Sequence, residues 1–125
     1  MPEILETRKP VHAEQLLRMI GFTARWKGFQ YAAYMIERVA QEPEDIRLIT
    51  KKLYPQTAER FGVTAFAVER AVRTMLTQNW NRLDLGIVEN VLGCPIHARP
   101  ANADFIDMSA ECLRRNRGVE NHDLF

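Results

Sequence analysis

Apolar residues recur at helical spacing along nearly the whole chain, and no stretch alternates between apolar and polar residues as a half-buried strand does. The stretch from Arg25 to about Gln41 is apolar over most of its circumference, which is typical of a central helix packed on several sides. Shorter amphipathic stretches precede and follow it. The pattern therefore predicts an all-α fold, a compact bundle of about six helices.

Capping and turn residues predict the ends of these helices. Gly21, Gly62 and Gly93 suit the residue that follows a helix, whereas Thr64 and Asn102 suit the residue that caps one. Proline ends a helix or begins one, so Pro43 and Pro55 bound a third helix. A polar tail, Arg114–Phe125, is expected to fray. The predicted helices are His12–Ile20, Arg25–Gln41, Pro43 to Pro55, Gln56–Phe61, Thr64 to about Arg82, Asp84–Leu92 and a last helix from Asn102.

Length and composition favour one self-sufficient domain over residues 1–125. The 125 residues are 46% hydrophobic and 26% charged, which is enough apolar material for a core. The sequence contains no apolar run long enough to span a membrane and no signal-peptide pattern at its start, so we expect a cytoplasmic protein. Two cysteines, Cys94 and Cys112, are too few for a disulfide scaffold and are expected to be small core residues.

Positive charge is concentrated in the middle of the chain. The formal net charge is only +1, but residues 47–82 carry seven basic and two acidic side chains. A basic segment within a nearly neutral protein indicates a partner that bears phosphate.

The segment from Pro55 to Arg82 has the features of a helix-turn-helix. Ala58 allows close approach of two helices, Gly62 permits a tight turn between them, and Val68 anchors the second helix to the core. Projected at 100° per residue, the second helix separates into two faces. The inner face carries Val68, Val72, Met75 and Asn79, and the outer face carries Phe66, Glu69, Arg70, Arg73 and Thr77.

The outer face matches what a recognition helix presents to base edges near its N-terminus. Arginine donates in a fork that fits guanine O6 and N7, and a carboxylate accepts from the cytosine amino group. Glu69, Arg70 and Arg73 are therefore the candidate reading residues. The alternative is a solvated face on which Glu69 and Arg73 form an i,i+4 ion pair.

Several motifs occur together in an order that is specific to one family. They are Leu53-Tyr54-Pro55, Val68-Glu69-Arg70-Ala71-Val72-Arg73, Trp80-Asn81-Arg82 and Arg99-Pro100-Ala101-Asn102 followed by Phe105-Ile106. Over roughly residues 14–117 the chain resembles the C-terminal effector domains of the stage-zero sporulation response regulators.

The resemblance implies a six-helix domain whose helix-turn-helix binds a short promoter box in double-stranded DNA, often as tandem copies that form a homodimer. Glu69, Arg70 and Arg73 match the recognition-helix positions of the family. The segment from Asp84 to Gly93 matches the surface that contacts the sigma subunit of RNA polymerase. We therefore expect this chain to be a transcription regulator without enzymatic activity.

The chain departs from the family pattern in three places. The receiver domain that precedes the effector domain is absent from this sequence. Phe66-Ala67 replaces a more polar pair at the start of the recognition helix, where Phe66 could contact a thymine methyl group or pack in a dimer. The loop from Gly93 to Pro100 is about three residues shorter than the loop expected from the family pattern.

The remaining candidates are phosphate contacts and one weak metal pattern. We expect a DNA-binding role for Thr64 beside the reading residues, and for four basic residues: Lys51, Lys52, Arg60 and Arg82. Cys94 and His97 have zinc-compatible spacing, but no second pair completes a tetrahedral site, so neither metal nor cofactor is expected. The alternative function is a receiver-less relative that acts by pairing with a full-length regulator or with RNA polymerase.

Overall fold

The computed structural model describes the backbone of residues 9–122 and the side chains of residues 9–118. Within this part of the chain all regular structure is helical, which confirms the predicted all-α class. Helices α1 to α6 follow in chain order. They are α1 (Ala13–Ile20), α2 (Lys27–Gln41), α3 (Tyr54–Phe61), α4 (Ala65–Asn79), α5 (Leu85–Leu92) and α6 (Asn102–His122).

Helix α2 is the centre of the bundle. It packs against α1, α4 and α6, and its side chains are buried on several sides, as its apolar circumference predicts. Phe29 and Tyr31 are buried. Tyr31 and Tyr34 also contact the ring of Phe61 edge-on, with ring centroids 5.1 Å and 5.9 Å apart. These aromatic contacts fix the end of α3 against the central helix.

The local end signals are mostly confirmed. The hydroxyl of Thr64 accepts from the Ala67 amide at 3.0 Å at the start of α4, and the Asp84 carboxylate accepts from Ile87 at the start of α5. Gly62 ends α3 with φ +69°, a left-handed conformation that a side chain disfavours. Asn102 is instead the first residue of α6, and its side chain donates to other helices.

The prediction that Pro55 ends a helix was wrong. A 3₁₀-helix over Pro43–Leu48 and a π-helix over Ile49–Leu53 lead directly into α3. The Tyr54 amide donates to the Ile49 carbonyl five residues earlier. Pro55 has no amide hydrogen, and its ring would meet the carbonyl four residues back in an α-helix. The wider π turn accommodates it, so the chain stays helical through the proline.

The expectation of a frayed tail was also wrong for the described residues, because α6 continues to His122. Its arginines are held by contacts with distant parts of the chain. Arg114 donates to the Val39 carbonyl and Arg115 donates to the Leu92 carbonyl. Arg117 donates to the Val11 carbonyl and to the carboxylate of Glu37. Residues 123–125 lie outside the described part of the chain.

Glu37 caps the first helix from a distance. His12 precedes α1 but makes no side-chain capping hydrogen bond. One oxygen of the Glu37 carboxylate accepts from the Ala13 amide at 2.8 Å, and the other accepts from Arg117 at 2.7 Å. Three helices are thereby joined at one carboxylate, which satisfies an otherwise free amide at the start of α1.

Helix α4 lies directly against the backbone of the central helix α2. A Cβ atom built on Gly28 would lie 2.5 Å from the Ala71 carbonyl oxygen and 3.0 Å from Val72 Cα. These are backbone atoms, so no rotation of a side chain could relieve the clash. Only glycine allows α2 and α4 to approach this closely.

We therefore expect Gly28→Ala to destabilise the protein by about 1–3 kcal/mol, as overpacking does at other well-packed contacts. Urea denaturation gives the free energy of unfolding. Gly118→Ala is the matched control, because nothing lies within 4 Å of a Cβ at that exposed position in α6. Its helix propensity predicts a gain of up to about 1 kcal/mol. Equal stability of Gly28→Ala and the wild type would contradict the close contact.

Candidate nucleic-acid interface

Helices α3 and α4 and the three residues between them are consistent with the predicted helix-turn-helix. Ala58 of α3 is buried, and Val68 is fully buried on the inner face of α4. The turn comprises Gly62, Val63 and Thr64, with the Val63 amide donating to the Ala58 carbonyl at 3.0 Å. The Thr64 cap then fixes the first turn of α4.

The two faces of α4 separate as the sequence predicts. Val68, Val72 and Met75 are fully buried, together with Leu76. Arg70 and Arg73 are exposed on the opposite side. Phe66 is 67% exposed, and the Arg70 guanidinium carbon lies 6.0 Å from the centroid of its ring. A cationic and aromatic surface therefore faces outward from the first two turns of the helix.

Glu69 and Arg73 form an ion pair across one helical turn. The pair is the alternative arrangement that their spacing allows, and in it the carboxylate of Glu69 engages Arg73. Arg70 makes no ion pair among residues 9–118. Its guanidinium donors are therefore available to an external acceptor.

Asn102 holds helix α4 through its backbone. Its amide nitrogen donates to the backbone carbonyl of Glu69 at 3.0 Å and to the Tyr54 hydroxyl at 3.2 Å. The residue is 8% exposed and joins α3, α4 and α6. Sequence reasoning assigned Asn102 a local capping role and missed this one, because the two partners lie 48 and 33 residues away. The one sequence feature that singled out Asn102 beyond capping was its place in the family motif Arg99-Pro100-Ala101-Asn102.

The predicted phosphate contacts do not form one cluster. Lys51 is exposed near the start of α3, whereas Lys52 donates to the buried Asp45 at 3.0 Å. Arg60 stacks over the Phe61 ring at 5.4 Å and lines an open cleft of about 1040 Å³ with α1 and α2. Arg82 lies beyond the end of α4 opposite Thr64, and the 15 residues of α4 alone span about 22 Å. Of the two lysines, Lys51 is the one without an ion pair among residues 9–118.

Helix α5 carries a second exposed surface. Leu85 and Ile87 are 43% and 48% exposed, while Val88 and Leu92 on the same helix are buried. Because residues two apart do not share a face of a helix, Leu85 and Ile87 expose apolar area on different sides of α5.

The histidines, cysteines and carboxylates outside α4 do not form a recognisable site in the described residues. Within the described residues, no group of three or more His, Cys, Asp or Glu side chains is arranged to hold a metal ion. Cys94 contacts the Met108 sulfur at 3.8 Å, and Cys112 is buried; both thiols are free. None of the helices in residues 9–122 is long and apolar enough to cross a membrane.

A pair of helices joined by a glycine turn, with an arginine-bearing face exposed on a helical bundle, is consistent with the class of helix-turn-helix domains. A family model described as "Sporulation initiation factor Spo0A C terminal" matches residues 13–113. The chain therefore belongs to this family, the DNA-binding effector domain of a sporulation regulator, which is not an enzymatic family. The resemblance carried by the sequence motifs is thereby confirmed.

Tyr54 gives a pH-dependent test of its own burial beside Asn102. Burial raises the pKa of the Tyr54 hydroxyl above its ordinary value of 10.0, and the hydrogen bond from Asn102 opposes this only in part. Because the folded pKa lies above the unfolded one, this group's contribution to stability is complete below pH 10 and declines as pH rises through the folded pKa.

We expect Tyr54→Phe to reduce the loss of stability above about pH 10, since phenylalanine cannot ionise. Thermal unfolding of the variant and of the wild type across pH 8–11 measures the difference. Below pH 9 the variant should be slightly less stable because it lacks one hydrogen bond, typically by about 1 kcal/mol. An identical alkaline slope in both proteins would contradict a buried, protonated Tyr54.

Proposed function

We propose that this protein is a transcription regulator that binds double-stranded DNA in a sequence-specific manner through the outer face of α4. The observation that carries the proposal is the rigid presentation of Glu69, Arg70 and Arg73 on one exposed face in a member of this family. Helix α4 is held by Gly28, by Asn102 and by its buried inner face. A duplex would therefore meet side chains whose backbone positions are already determined, which lowers the entropic cost of binding.

Each reading residue has a role that its chemistry supports. Arg70 donates both arms of its guanidinium group to O6 and N7 of a guanine. Glu69 accepts from the amino group of a nearby cytosine or orients an arginine, and Arg73 contacts a base or a phosphate. The ion pair between Glu69 and Arg73 is exposed and contributes about 1 kcal/mol or less, so it can exchange for contacts with DNA.

Phosphate contacts fix the register of such a helix on the duplex. The Thr64 hydroxyl lies at the start of α4, and Lys51, just before α3, is exposed and forms no ion pair among residues 9–118; these two are the first choices. Lys52, Arg60 and Arg82 are secondary candidates, because one is paired with Asp45, one faces the cleft and one lies at the far end of α4. Binding should weaken steeply with salt, as phosphate contacts release counterions.

Arg70→Ala should weaken binding to the preferred duplex by about 1–3 kcal/mol and abolish selectivity at one base pair, because one bidentate contact is lost. The preferred duplex is obtained by selection of random duplexes with the wild-type protein. Each guanine is then replaced in turn by 7-deazaguanine, which lacks the N7 acceptor, and fluorescence anisotropy gives the Kd.

The wild type should lose affinity at one guanine, and Arg70→Ala should be insensitive to that replacement. Lys51→Ala is the matched control: it should weaken all duplexes alike, lower the salt slope by about 1 and keep the sensitivity to 7-deazaguanine. Lys52→Ala is a poorer control, since it strips the buried Asp45 of its partner. If Arg70→Ala kept the wild-type base preference, the reading role of Arg70 would be wrong.

We also propose that the exposed face of α5 contacts RNA polymerase while α4 holds the DNA. The exposed apolar area at Leu85 and Ile87 supports this. So does the resemblance, which implies that the segment from Asp84 to Gly93 matches a surface for the sigma subunit. Tandem boxes would bring two copies side by side as a homodimer on the duplex. If the protein instead acts only by pairing with another regulator, the selection will enrich no duplex.

Ile87→Ser should leave the Kd for the selected duplex unchanged and reduce formation of the ternary complex with RNA polymerase holoenzyme by about tenfold, near the effect of losing one buried aliphatic side chain. A gel-shift titration of holoenzyme onto the protein–DNA complex measures this. Leu48→Ser removes an equally exposed apolar side chain elsewhere, 44% exposed, and should change neither step. Wild-type recruitment of holoenzyme by Ile87→Ser would refute the contact.

A further inference from the structure

Phe66 is an aromatic side chain that the fold does not use. It is 67% exposed in the first turn of α4, more than any other large apolar residue whose side chain the structure describes. The Thr64 cap holds the backbone of this turn, so the ring projects from a fixed position. The guanidinium carbon of Arg70, one helical turn further along the same face, lies 6.0 Å from the ring centroid.

We propose that Phe66 is a specificity-determining residue that contacts the C5 methyl group of a thymine beside the guanine read by Arg70. The inference rests on the proposed DNA-binding function and adds a second kind of readout to it. The thymine methyl group is the apolar feature that base pairs present in the major groove, and phenylalanine is among the side chains that contact it. The exposed ring of Phe66 can therefore pack against a thymine methyl group in the major groove.

The spacing of the two residues determines how far apart their bases lie. A separation of four residues corresponds to about 6 Å along the helix axis. Successive nucleotides of one strand lie about 3.4 Å apart along the duplex axis, so the thymine is expected within about two base pairs of the guanine. The two contacts together specify a short thymine- and guanine-containing step.

The charges around Phe66 favour DNA over a second copy of this chain. Arg70 lies against the ring and Arg73 lies on the same face. Packing Phe66 into a symmetric dimer would bring arginines of like charge together and remove them from water, which is unfavourable. A duplex supplies phosphates and guanine acceptors to the same arginines. The occupant that satisfies both the ring and its cationic neighbours is therefore nucleic acid.

The test removes methyl groups from the DNA and leaves every hydrogen-bonding group in place. In the selected duplex each thymine is replaced in turn by deoxyuridine, and the Kd is measured by fluorescence anisotropy for the wild type, Phe66→Ala and Val63→Ala. The wild type should lose about three- to fivefold in affinity at one thymine, which is the effect expected for one buried methyl group. Phe66→Ala should be insensitive at that position.

Val63→Ala is the matched control, because Val63 is a partly exposed apolar residue of the turn, 36% exposed. It should keep the full deoxyuridine effect. Phe66→Ala should keep the sensitivity to 7-deazaguanine, which shows that the variant is folded and that Arg70 still reads its base.

The outcomes separate this inference from the proposed function. If the wild type shows the 7-deazaguanine effect but no thymine is sensitive to deoxyuridine, the role of Phe66 is wrong and DNA reading stands. The role is also wrong if Phe66→Ala keeps the deoxyuridine effect. It is wrong as well if analytical ultracentrifugation shows that Phe66→Ala alters self-association of the free protein while its DNA binding is unchanged. If selection enriches no duplex, both the proposed function and this inference fail.

Discussion

The close contact of α2 with α4 at Gly28 determines where α4 and its exposed arginines lie. With the Ala71 carbonyl oxygen 2.5 Å from the position of an added Cβ, the two backbones meet without an intervening side chain. Such a contact allows little sliding or rotation, because close-packed interiors resist small displacements. Helix α2 is itself held by α1 and α6, so the position of α4 depends on the whole bundle. The candidate interface is rigid because the core beneath it is rigid.

Two further constraints complete the placement of α4 and leave one side free. Asn102 ties the Glu69 carbonyl to α6, and Thr64 fixes the first turn through the Ala67 amide. Both bonds use backbone atoms of α4, so the outward side chains take no part in holding the helix. The residues of the outer face can therefore form ion pairs in the free protein and exchange them for other partners without disturbing the fold.

Local features of this chain could be predicted from its sequence, whereas contacts between distant segments could not. The caps at Thr64 and Asp84, the turn at Gly62 and the two faces of α4 depend on neighbouring residues. The helical path through Pro55 depends on a preceding π turn, which has no simple sequence signal. The long α6 depends on arginines that reach carbonyls as many as 106 residues away. The second role of Asn102 was missed for the same reason.

The same division separates the parts of α4 that the fold requires from the parts that it leaves open. Gly28, Tyr54 and Asn102 are determined by contacts inside the bundle. Phe66 has no packing role in the described structure, so a different side chain at this position would leave the core unchanged. Under the proposed DNA-binding function, such a change would alter what α4 presents to a duplex while its placement stayed the same. The architecture is thus compatible with more than one preferred DNA sequence, and the preferred sequence must be determined with this protein itself.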